Sequence, residues 1–288
     1  MMKLFLIRHA ESEHNVKRAF AGVTDSALTK HGSLQIDRLA QHFRSQGLQF
    51  SKIFSSDLRR ARTTAEALDT VSNKEQSSAG EPVNTVVLLE ALREKDFGSL
   101  EGQSWVSRAK ATRNQGPKDQ ESHSSMETRA RAFLNENILP LLSSNGTEGQ
   151  AIAVVSHGII LSVIWRCLSS LFSPQAINTA AGVDNIGNMP AWSNTGFLEL
   201  EIKQLTIASS PSNTPGFTQC PSRTKSPEPP PTPAIVDALP GWQMKILTVN
   251  GQHHVSTLKR TRGGLGSSRH DKRQKQIDSF FMKPKAGD

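Results

Sequence analysis

The chain has 288 residues, 36% of them hydrophobic, which is enough for a substantial buried core and excludes a peptide-like or fibrous protein. The formal net charge is +8, but residues 259–288 carry nine basic and three acidic side chains, while the rest has 25 basic and 23 acidic ones. The excess positive charge therefore belongs mostly to the C-terminal segment. Two cysteines without metal-ligand spacing and an interrupted longest apolar stretch (151–165) predict a soluble protein with no metal, cofactor or membrane span.

Strand and helix patterns alternate along the first half of the chain. Residues 3–7 (KLFLI) are typical of a strand buried on both faces, and a polar segment follows that we expect to be a functional loop. Apolar spacing predicts a helix between Leu28 and Phe43, then a strand at 50–57 and a helix at 58–71.

The second half continues this alternation. A strand is predicted at 85–94, a long amphipathic helix at 125–142, and a strand at 151–156 that turns into a helix. Further strands are predicted at 194–202 and from residue 241. Such alternation predicts a three-layer α/β/α sandwich with a mostly parallel sheet.

A proline-rich stretch interrupts this pattern. Nine of the fifteen prolines fall between Pro211 and Pro240, among Ser and Thr residues, which predicts a disordered insertion at about 208–240. Strand character returns afterwards, so we expect one domain at 1–260 and a disordered basic tail at 261–288.

Two predicted strands end in a histidine, His9 and His157. Ligands bind at the carboxyl ends of strands in open parallel sheets, so both imidazoles are expected to face one crevice. A hydrogen-bonded structural role is the alternative for each histidine alone. Arg8 and Arg60 add guanidinium groups whose geometry suits phosphate oxygens.

Five motifs occur in order along residues 6–160: LIRHAESEHN, GVTDSALTKHG, SSDLRRARTTAEAL, LREKDFGSLEG and VVSHGII. Together they resemble the histidine phosphatase (phosphoglycerate mutase-like) superfamily, and the resemblance implies the phosphoglycerate mutase-like fold. The pairing of LREKDFGSLEG with NTG at 194–196 and a late strand ending in a histidine is most similar to TIGAR-type fructose-2,6-bisphosphatases and other broad phosphatases.

The resemblance implies a role for each matching residue. His9 would attack the phosphoryl group and become a phosphohistidine, and Arg8, Arg60 and His157 would hold the phosphoryl oxygens. Glu94 would protonate the departing oxygen and then take a proton from water. Asn15 and Thr24 match positions that line the substrate phosphate site.

Other interpretations of these residues remain open. Arg60 could form a surface ion pair with Glu66, and Glu94 could be a solvated charge. Ala10 stands where many members of the family have Gly, and a positive φ there would cost about 1–2 kcal/mol. Adjacent His253 and His254 are expected on opposite faces of a strand, which disfavours joint metal binding.

The short polar stretch at 103–125 favours hydrolysis, because mutases that return phosphate to the substrate carry a longer covering segment and a less covered site admits water. We therefore expect a phosphomonoester hydrolase, with a sugar bisphosphate as the candidate substrate. The alternatives are a phosphoglycerate mutase and a non-catalytic protein that binds phosphorylated ligands.

The tail carries a second motif, Q-x-x-(aliphatic)-x-x-(aromatic)-(aromatic). It resembles the box with which replication and repair proteins bind the sliding clamp PCNA, and its members are Gln274, Ile277, Phe280 and Phe281. Paired aromatic residues in a polar segment indicate a binding site. The alternative is a C-terminal amphipathic helix that docks on its own domain.

Two basic clusters, 259–260 and 272–275, resemble a bipartite nuclear localisation signal. The sequence therefore predicts a nuclear protein, with the cytoplasm as a second expected location. Weak contact of the basic tail with nucleic-acid backbones is a competing interpretation of the same charges. Substrate identity and oligomeric state are not encoded in these motifs.

Overall fold

The computed structural model describes residues 1–73, 86–110, 119–143, 149–183, 192–205, 239–259 and 266. Seven strands within these ranges form one sheet. In chain order they are β1 (Met2–Arg8), β2 (Phe50–Ser56), β3 (Val86–Leu89), β4 (Ala151–Ser156), β5 (Ile177–Thr179), β6 (Phe197–Gln204) and β7 (Trp242–Gly251).

The order across the sheet is β3-β2-β4-β1-β6-β7-β5. The pairs β1–β4, β2–β4, β2–β3 and β5–β7 are parallel, and β6 is antiparallel to both β1 and β7. The predicted mostly parallel sheet is confirmed. Because β1 and β4 are parallel neighbours, the residues that follow them emerge at the same edge of the sheet.

Helices cover both faces of the sheet. They are α1 (Glu13–Lys17), α2 (Lys30–Ser45), α3 (Arg59–Asn73), α4 (Trp105–Lys110), α5 (His123–Phe133), α6 (Leu139–Ser143) and α7 (Gly158–Ser169). Short 3₁₀ turns occur at Glu90–Leu92, Gly98–Leu100, Pro174–Ala176 and His253–Val255. The hydroxyl of Thr29 caps α2 by accepting from the amide of Gly32 at 2.9 Å.

Strand β1 contributes to two hydrophobic cores because its apolar residues alternate between the faces. Leu4 and Leu6 pack with α5 and α7 on one face, and Phe5 and Ile7 pack with α2 and α3 on the other. Each of these four side chains is at most 1% exposed. The continuous apolar run therefore arises because the strand is buried on both sides.

Three local features differ from the expectations. The polar segment after β1 contains a short helix, α1. The long helix predicted at 125–142 is confirmed in extent, since residues 123–143 are helical throughout, but it contains a π-helical turn, Leu134–Ile138, just before Pro140. Proline lacks an amide donor and its ring crowds the preceding turn, which favours such a local change in helix geometry. Strand β5 was not predicted, because three residues at a sheet edge leave no periodic signal.

The proline-rich insertion separates two paired strands. Gln204 of β6 is opposite Trp242 of β7, and the amide of Leu205 donates to the carbonyl of Gly241 at 2.6 Å. Residues 206–238 lie outside the described residues, so the predicted disorder stays a prediction. The tail also lies outside them except for Gly266, whose carbonyl accepts from the amide of His31 at 3.0 Å. No helix in the described ranges is long and apolar enough to cross a membrane.

Candidate active site

The two strand-end histidines lie side by side. The amide of His9 donates to the carbonyl of Ser156 at 2.9 Å, which links the end of β1 to the end of β4. The ring centroids of His9 and His157 are 4.9 Å apart, and the residues are 4% and 1% exposed. The fold therefore brings together two imidazoles that are 148 positions apart in the sequence.

His9 is held in one tautomer. Its Nδ1 lies 2.7 Å from the carbonyl oxygen of Ala10, which can only accept, so we assign the proton to Nδ1 and the free lone pair to Nε2. Burial, and then the charges of Arg60 and Arg8, lower the pKa of His9 well below its ordinary value of 6.5. The imidazole is therefore neutral at neutral pH and carries an available nucleophilic nitrogen.

His157 has the opposite tautomer. Its Nδ1 accepts a hydrogen bond from Nε of Arg60 at 3.2 Å, so Nε2 carries the proton and donates to Oγ of Ser56 at 2.9 Å. Burial, followed by the charges of Arg60 and His9, lowers the pKa of His157 well below 6.5. His157 is therefore a neutral, fixed hydrogen-bonding group beside His9.

Among the described residues, Arg60 has the largest fully buried side chain and is 1% exposed. Its Nη2 donates to the carbonyls of Ala21 and Gly22, and its Nη1 donates to the carbonyl of Thr24, each at 2.8 Å. Burial lowers the pKa of Arg60 to about 10, against the raising effect of Glu94. The guanidinium therefore stays charged at neutral pH and is fixed beside His157.

A surface ion pair between Arg60 and Glu66 is excluded by this burial. The residue that pairs with Glu66 is Arg62, whose Nε lies 2.7 Å from Oε1 on the exposed side of α3. Arg59 is also exposed. One helical turn therefore directs a single arginine into the site, as the helix geometry predicts.

Arg8 has an unsatisfied nitrogen. Its Nη1 donates to the carbonyl of Trp192, whereas its buried Nε has no hydrogen-bond partner among the described residues. A buried donor without a partner costs about 1–3 kcal/mol, which an anionic acceptor would recover. A Cβ on Gly158 would lie 3.9 Å from this nitrogen, so Arg8 is close to the start of α7.

Glu94 lies at the same helix start. Its two carboxylate oxygens accept from the amides of Ile159 and Ile160, and one also accepts from Lys95, each at 3.0 Å. The positive end of α7 favours an anionic group at this position. The carboxyl group is therefore held at the first turn of α7, which follows His157, rather than being a solvated charge at a strand end.

A cavity of about 390 Å³ opens beside Glu94. Its lining is strongly charged and consists of Val23, Glu90, Ala91, Arg93, Glu94, Asp96, Glu121 and Arg129. Arg129 is paired with Glu121 at 2.8 Å and also donates to the carbonyls of Ala91 and Arg93 at 2.7 Å. Arg129 therefore fixes the turn that carries Glu94 at the wall of the cavity.

The two predicted substrate-binding residues lie near this centre. The amide oxygen of Asn15 accepts from Ser12 and from Nδ2 of Asn194, each at 3.1 Å, and Asn194 also donates to the carbonyl of His9. Asn15 is thus linked to the histidine loop through one side chain. Thr24 is exposed and contributes its carbonyl oxygen to Arg60.

The NTG segment supports the site in a way that the motif did not reveal. Thr195 has a left-handed backbone with φ of 57° and donates its amide to the carbonyl of Arg8 at 3.0 Å. Its hydroxyl donates to Asn194 and lies 3.0 Å from Nε2 of His254. These contacts join residues from three distant parts of the sequence. Such contacts cannot be inferred from the spacing of residues along the chain.

The expectation that His253 and His254 lie on a strand was wrong, because both are in the 3₁₀ turn after β7. His254 is buried against Thr195, whereas His253 is exposed. Burial lowers the pKa of His254 to about 4, with the charges of His42 and His253 as smaller causes. His254 is therefore neutral and supports the back of the site.

Ala10 does not have the backbone conformation that would penalise a side chain. Among the described non-glycine residues, only Arg18, Thr195 and Asn250 have a positive φ. The amide of Ala10 donates to Oγ1 of Thr64 at 3.2 Å, and its methyl group is fully buried. The strain considered for Ala10 is therefore absent.

The predicted clamp-binding residues, Gln274, Ile277, Phe280 and Phe281, lie outside the described residues. Within the described part of the chain, no group of three His, Cys, Asp or Glu side chains is arranged to hold a metal ion. The described centre therefore consists of two histidines, two arginines and one glutamate.

Comparison with known proteins identifies a protein family and several relatives of this chain. The family model of the histidine phosphatase superfamily (branch 1) matches residues 4–185. A probable phosphatase of Schizosaccharomyces pombe is 31% identical over 286 residues, which cover 96% of this chain and 79% of that protein. A 2,3-bisphosphoglycerate-dependent phosphoglycerate mutase of Methylorubrum populi is 31% identical over 198 residues, covering 65% and 86% respectively.

Among solved structures, mycobacterial hydrolase 1 aligns with a TM-score of 0.57 at 17% identity, over 86% of this chain and 98% of that one. This similarity confirms the predicted phosphoglycerate mutase-like α/β fold. The family model covers more than half of the chain, and the relatives are phosphatases and mutases. The chain therefore belongs to the histidine phosphatase superfamily and is an enzyme of its phosphatase and mutase type.

Proposed function

We propose that the chain hydrolyses phosphomonoesters through a phosphohistidine formed on Nε2 of His9. The observation that carries this proposal is the pairing of a neutral His9 with a buried Arg8 nitrogen that lacks a partner. The first supplies a nucleophile, and the second supplies a donor for a phosphoryl oxygen. Arg60 adds a fixed cation that donates to His157 at 3.2 Å, and His157 adds a fixed imidazole whose ring centroid lies 4.9 Å from that of His9.

The reaction has two displacement steps at phosphorus. In the first, the lone pair on Nε2 of His9 forms the N–P bond as the ester P–O bond breaks. Glu94 enters this step in its protonated form and gives the proton to the leaving oxygen. The positive charge that develops on the ring is shared through Nδ1–H with the carbonyl of Ala10. In the second, Glu94 takes a proton from water, water oxygen bonds to phosphorus, and the N–P bond breaks to release inorganic phosphate.

The charges of Arg8 and Arg60 serve both steps. Phosphoryl transfer gains most of its acceleration from positioning and from electrostatic stabilisation of the equatorial oxygens. Arg60 has four assigned hydrogen bonds out of its five N–H groups, so it is held before substrate arrives. Preorganised donors of this kind contribute about 3 kcal/mol each to lowering the barrier.

The covalent intermediate gives a direct test. Incubation with a phosphoester followed by rapid denaturation in alkali should leave phosphate that is acid-labile and alkali-stable on the wild-type protein. The His9→Ala variant should carry none, and His253→Ala, at an exposed position, should be labelled like the wild type. Turnover of phosphoesters without this label, or equal labelling of His9→Ala, would reject the proposed intermediate.

Hydrolysis is distinguished from mutase activity by its products. The support for hydrolysis is the short polar stretch at 103–125, whose described part contains the six-residue helix α4 and the start of α5. The second candidate function is that of a phosphoglycerate mutase, and it is supported by a relative that is named as one. With 3-phosphoglycerate as substrate, release of inorganic phosphate without the 2-phospho isomer supports the hydrolase, and isomer formation supports the mutase.

For the substrate class we propose a sugar bisphosphate, as in TIGAR-type fructose-2,6-bisphosphatases. The support is the pairing of the LREKDFGSLEG motif with NTG, together with the cavity beside Glu94, which would take the leaving group. A panel of sugar bisphosphates, phosphoglycerates, nucleotides and phosphopeptides compared by kcat/KM tests this assignment. A higher kcat/KM for any class other than sugar bisphosphates would refute it.

We further propose that the tail recruits the enzyme to the sliding clamp PCNA in the nucleus. The support is sequence alone: the motif at 274–281 and the basic clusters around it. Binding of purified clamp to the full chain should fall strongly when Phe280 and Phe281 are both replaced by Ala. Equal binding by both proteins would refute the recruitment. Fluorescence of the tagged chain, with and without the basic cluster at 272–275, tests the localisation.

A further inference from the structure

Glu101 occupies an unusual position for a glutamate. Its carboxylate accepts backbone hydrogen bonds from three successive residues of one loop, Gly22, Val23 and Thr24, at distances of 2.9–3.3 Å. It also accepts from the amide of Phe97 at 3.2 Å. The carboxylate is therefore occupied by four main-chain donors and is not arranged to bind substrate.

The other side of the same loop holds Arg60. The carbonyls of Ala21 and Gly22 accept from Nη2 of this arginine, at 2.8 Å each. Two successive peptide groups, 21–22 and 22–23, therefore bridge the two charged side chains. In each of them the carbonyl oxygen accepts from Arg60 and the N–H donates to Glu101. Two peptide dipoles lie between a cation and an anion in the orientation that both charges favour, and such chains of hydrogen bonds strengthen one another.

Gly22 allows this arrangement for a steric reason. A Cβ at this position would lie 2.3 Å from Oε1 of Glu101 and 2.0 Å from the carbonyl oxygen of Lys95. These distances are far below van der Waals contact, so any side chain would push the loop away from the carboxylate. The glycine is thus required by close approach rather than by its own backbone angles.

We propose that Glu101 is a positioning residue that fixes Arg60 through the two peptide groups of the 21–23 loop. This inference rests on the proposed phosphatase function, because it concerns the arginine that holds the phosphoryl group. The negative carboxylate also compensates part of the cost of burying the guanidinium, since the two charges are joined through polarised main chain. Without this anchor, the loop carbonyls and Arg60 move together away from His157.

The first test compares Glu101→Gln with a matched control, Glu66→Gln, at an exposed position of α3. The Gln side chain keeps one acceptor oxygen and replaces the other by an amide that cannot accept. With p-nitrophenyl phosphate we expect kcat to fall about tenfold in Glu101→Gln and to be unchanged in the control. Thermal denaturation of each variant establishes that the comparison is made on folded protein.

The second test separates positioning of Arg60 from a general effect on stability. In an Arg60→Lys background, Glu101→Gln should lower kcat by less than about threefold, because the group it positions has already been changed. If Glu101→Gln lowers kcat by the same factor in both backgrounds, the two residues act independently and the inference is wrong. It is also wrong if the single variant retains full kcat.

Failure of the proposed function gives a different result. In that case the wild type itself shows no turnover of any phosphoester. The wild type, Glu101→Gln, Arg60→Lys and the double variant are then compared by the rise in melting temperature that orthovanadate produces, since this anion probes the oxyanion site without chemistry. The positioning role predicts a smaller rise in Glu101→Gln than in the wild type and little further loss in the Arg60→Lys background. An equal rise in wild type and Glu101→Gln would overturn it.

Discussion

Three buried histidines make the stability of the protein depend on pH. This dependence occurs at a higher pH than the range in which carboxylates titrate. The pKa values of His9 and His157 are lowered well below 6.5, and that of His254 is lowered to about 4, in each case chiefly by burial. The unfolded chain binds a proton at each of these residues as the pH falls through about 6.5, and the folded chain does not. Stability is therefore unaffected above this pH and falls below it.

The size of the effect follows from the number of sites. Between about pH 7.5 and about pH 5.5, each histidine that stays neutral in the fold costs about 1.3 kcal/mol, so three cost about 4 kcal/mol. The lowered pKa values of His14 and His42 act in the same direction. The carboxyl groups with lowered pKa values, such as Glu121, lose their contribution only at more acidic pH.

The assay is urea unfolding followed by circular dichroism at several pH values in this range. The free energy of unfolding should fall by about 4 kcal/mol, and His254→Gln should remove about a third of the slope. The variant His253→Gln, at the adjacent exposed position, is the matched control. The reasoning would be refuted if the slope of the unfolding free energy against pH corresponded to the uptake of less than one proton, or if His254→Gln had the same slope as the wild type. Either result would show that these histidines accept protons in the folded state.

Three further predictions concern the site and the core. Glu94→Gln should lower kcat about a hundredfold for an alkyl phosphate and much less for p-nitrophenyl phosphate, whose leaving group needs no proton; equal losses measured on both substrates would contradict the acid role. Inorganic phosphate should raise the melting temperature of the wild type and not of Arg8→Ala, because we propose that the unpartnered Nε of Arg8 donates to a phosphate oxygen. An undiminished rise in the variant would refute this. Ile164 is fully buried in α7, so Ile164→Ala should reduce the free energy of unfolding, measured by urea titration, by about 2–5 kcal/mol. A loss below about 1 kcal/mol would mean that the core around this residue is loosely packed.

Most of the sheet was predictable from the sequence because its inner strands are buried on both faces. The apolar runs at 3–7 and 151–155 leave no alternation, and such runs indicate parallel strands with helices on either side. The meeting of His9 and His157 followed from the same principle, since residues after neighbouring parallel strands share an edge. The π-helical turn before Pro140 was not predicted, because the apolar spacing continues through it.

The supports of the site could not be predicted in the same way. Glu101 contacts a loop 77 to 79 positions away, and Thr195 contacts the main chain after β1 across most of the sequence. These contacts join side chains to main-chain groups, and main-chain groups carry no sequence signal. The motifs therefore indicated which residues come together in the candidate site, but not which residues hold them in place.

The pairing of β6 with β7 has a consequence for how this enzyme can be altered. Residues 206–238 connect the end of β6 to the start of β7. These two points are held together by a hydrogen bond between Leu205 and Gly241, at the end of the antiparallel ladder next to the pair Gln204–Trp242. Closing a longer connection between fixed ends costs only about 0.6 kcal/mol for each doubling of its length. This point of the fold can therefore accept a spliced reporter domain or a short turn with little change in folding energy, which makes it the natural place to attach cargo without touching the catalytic edge.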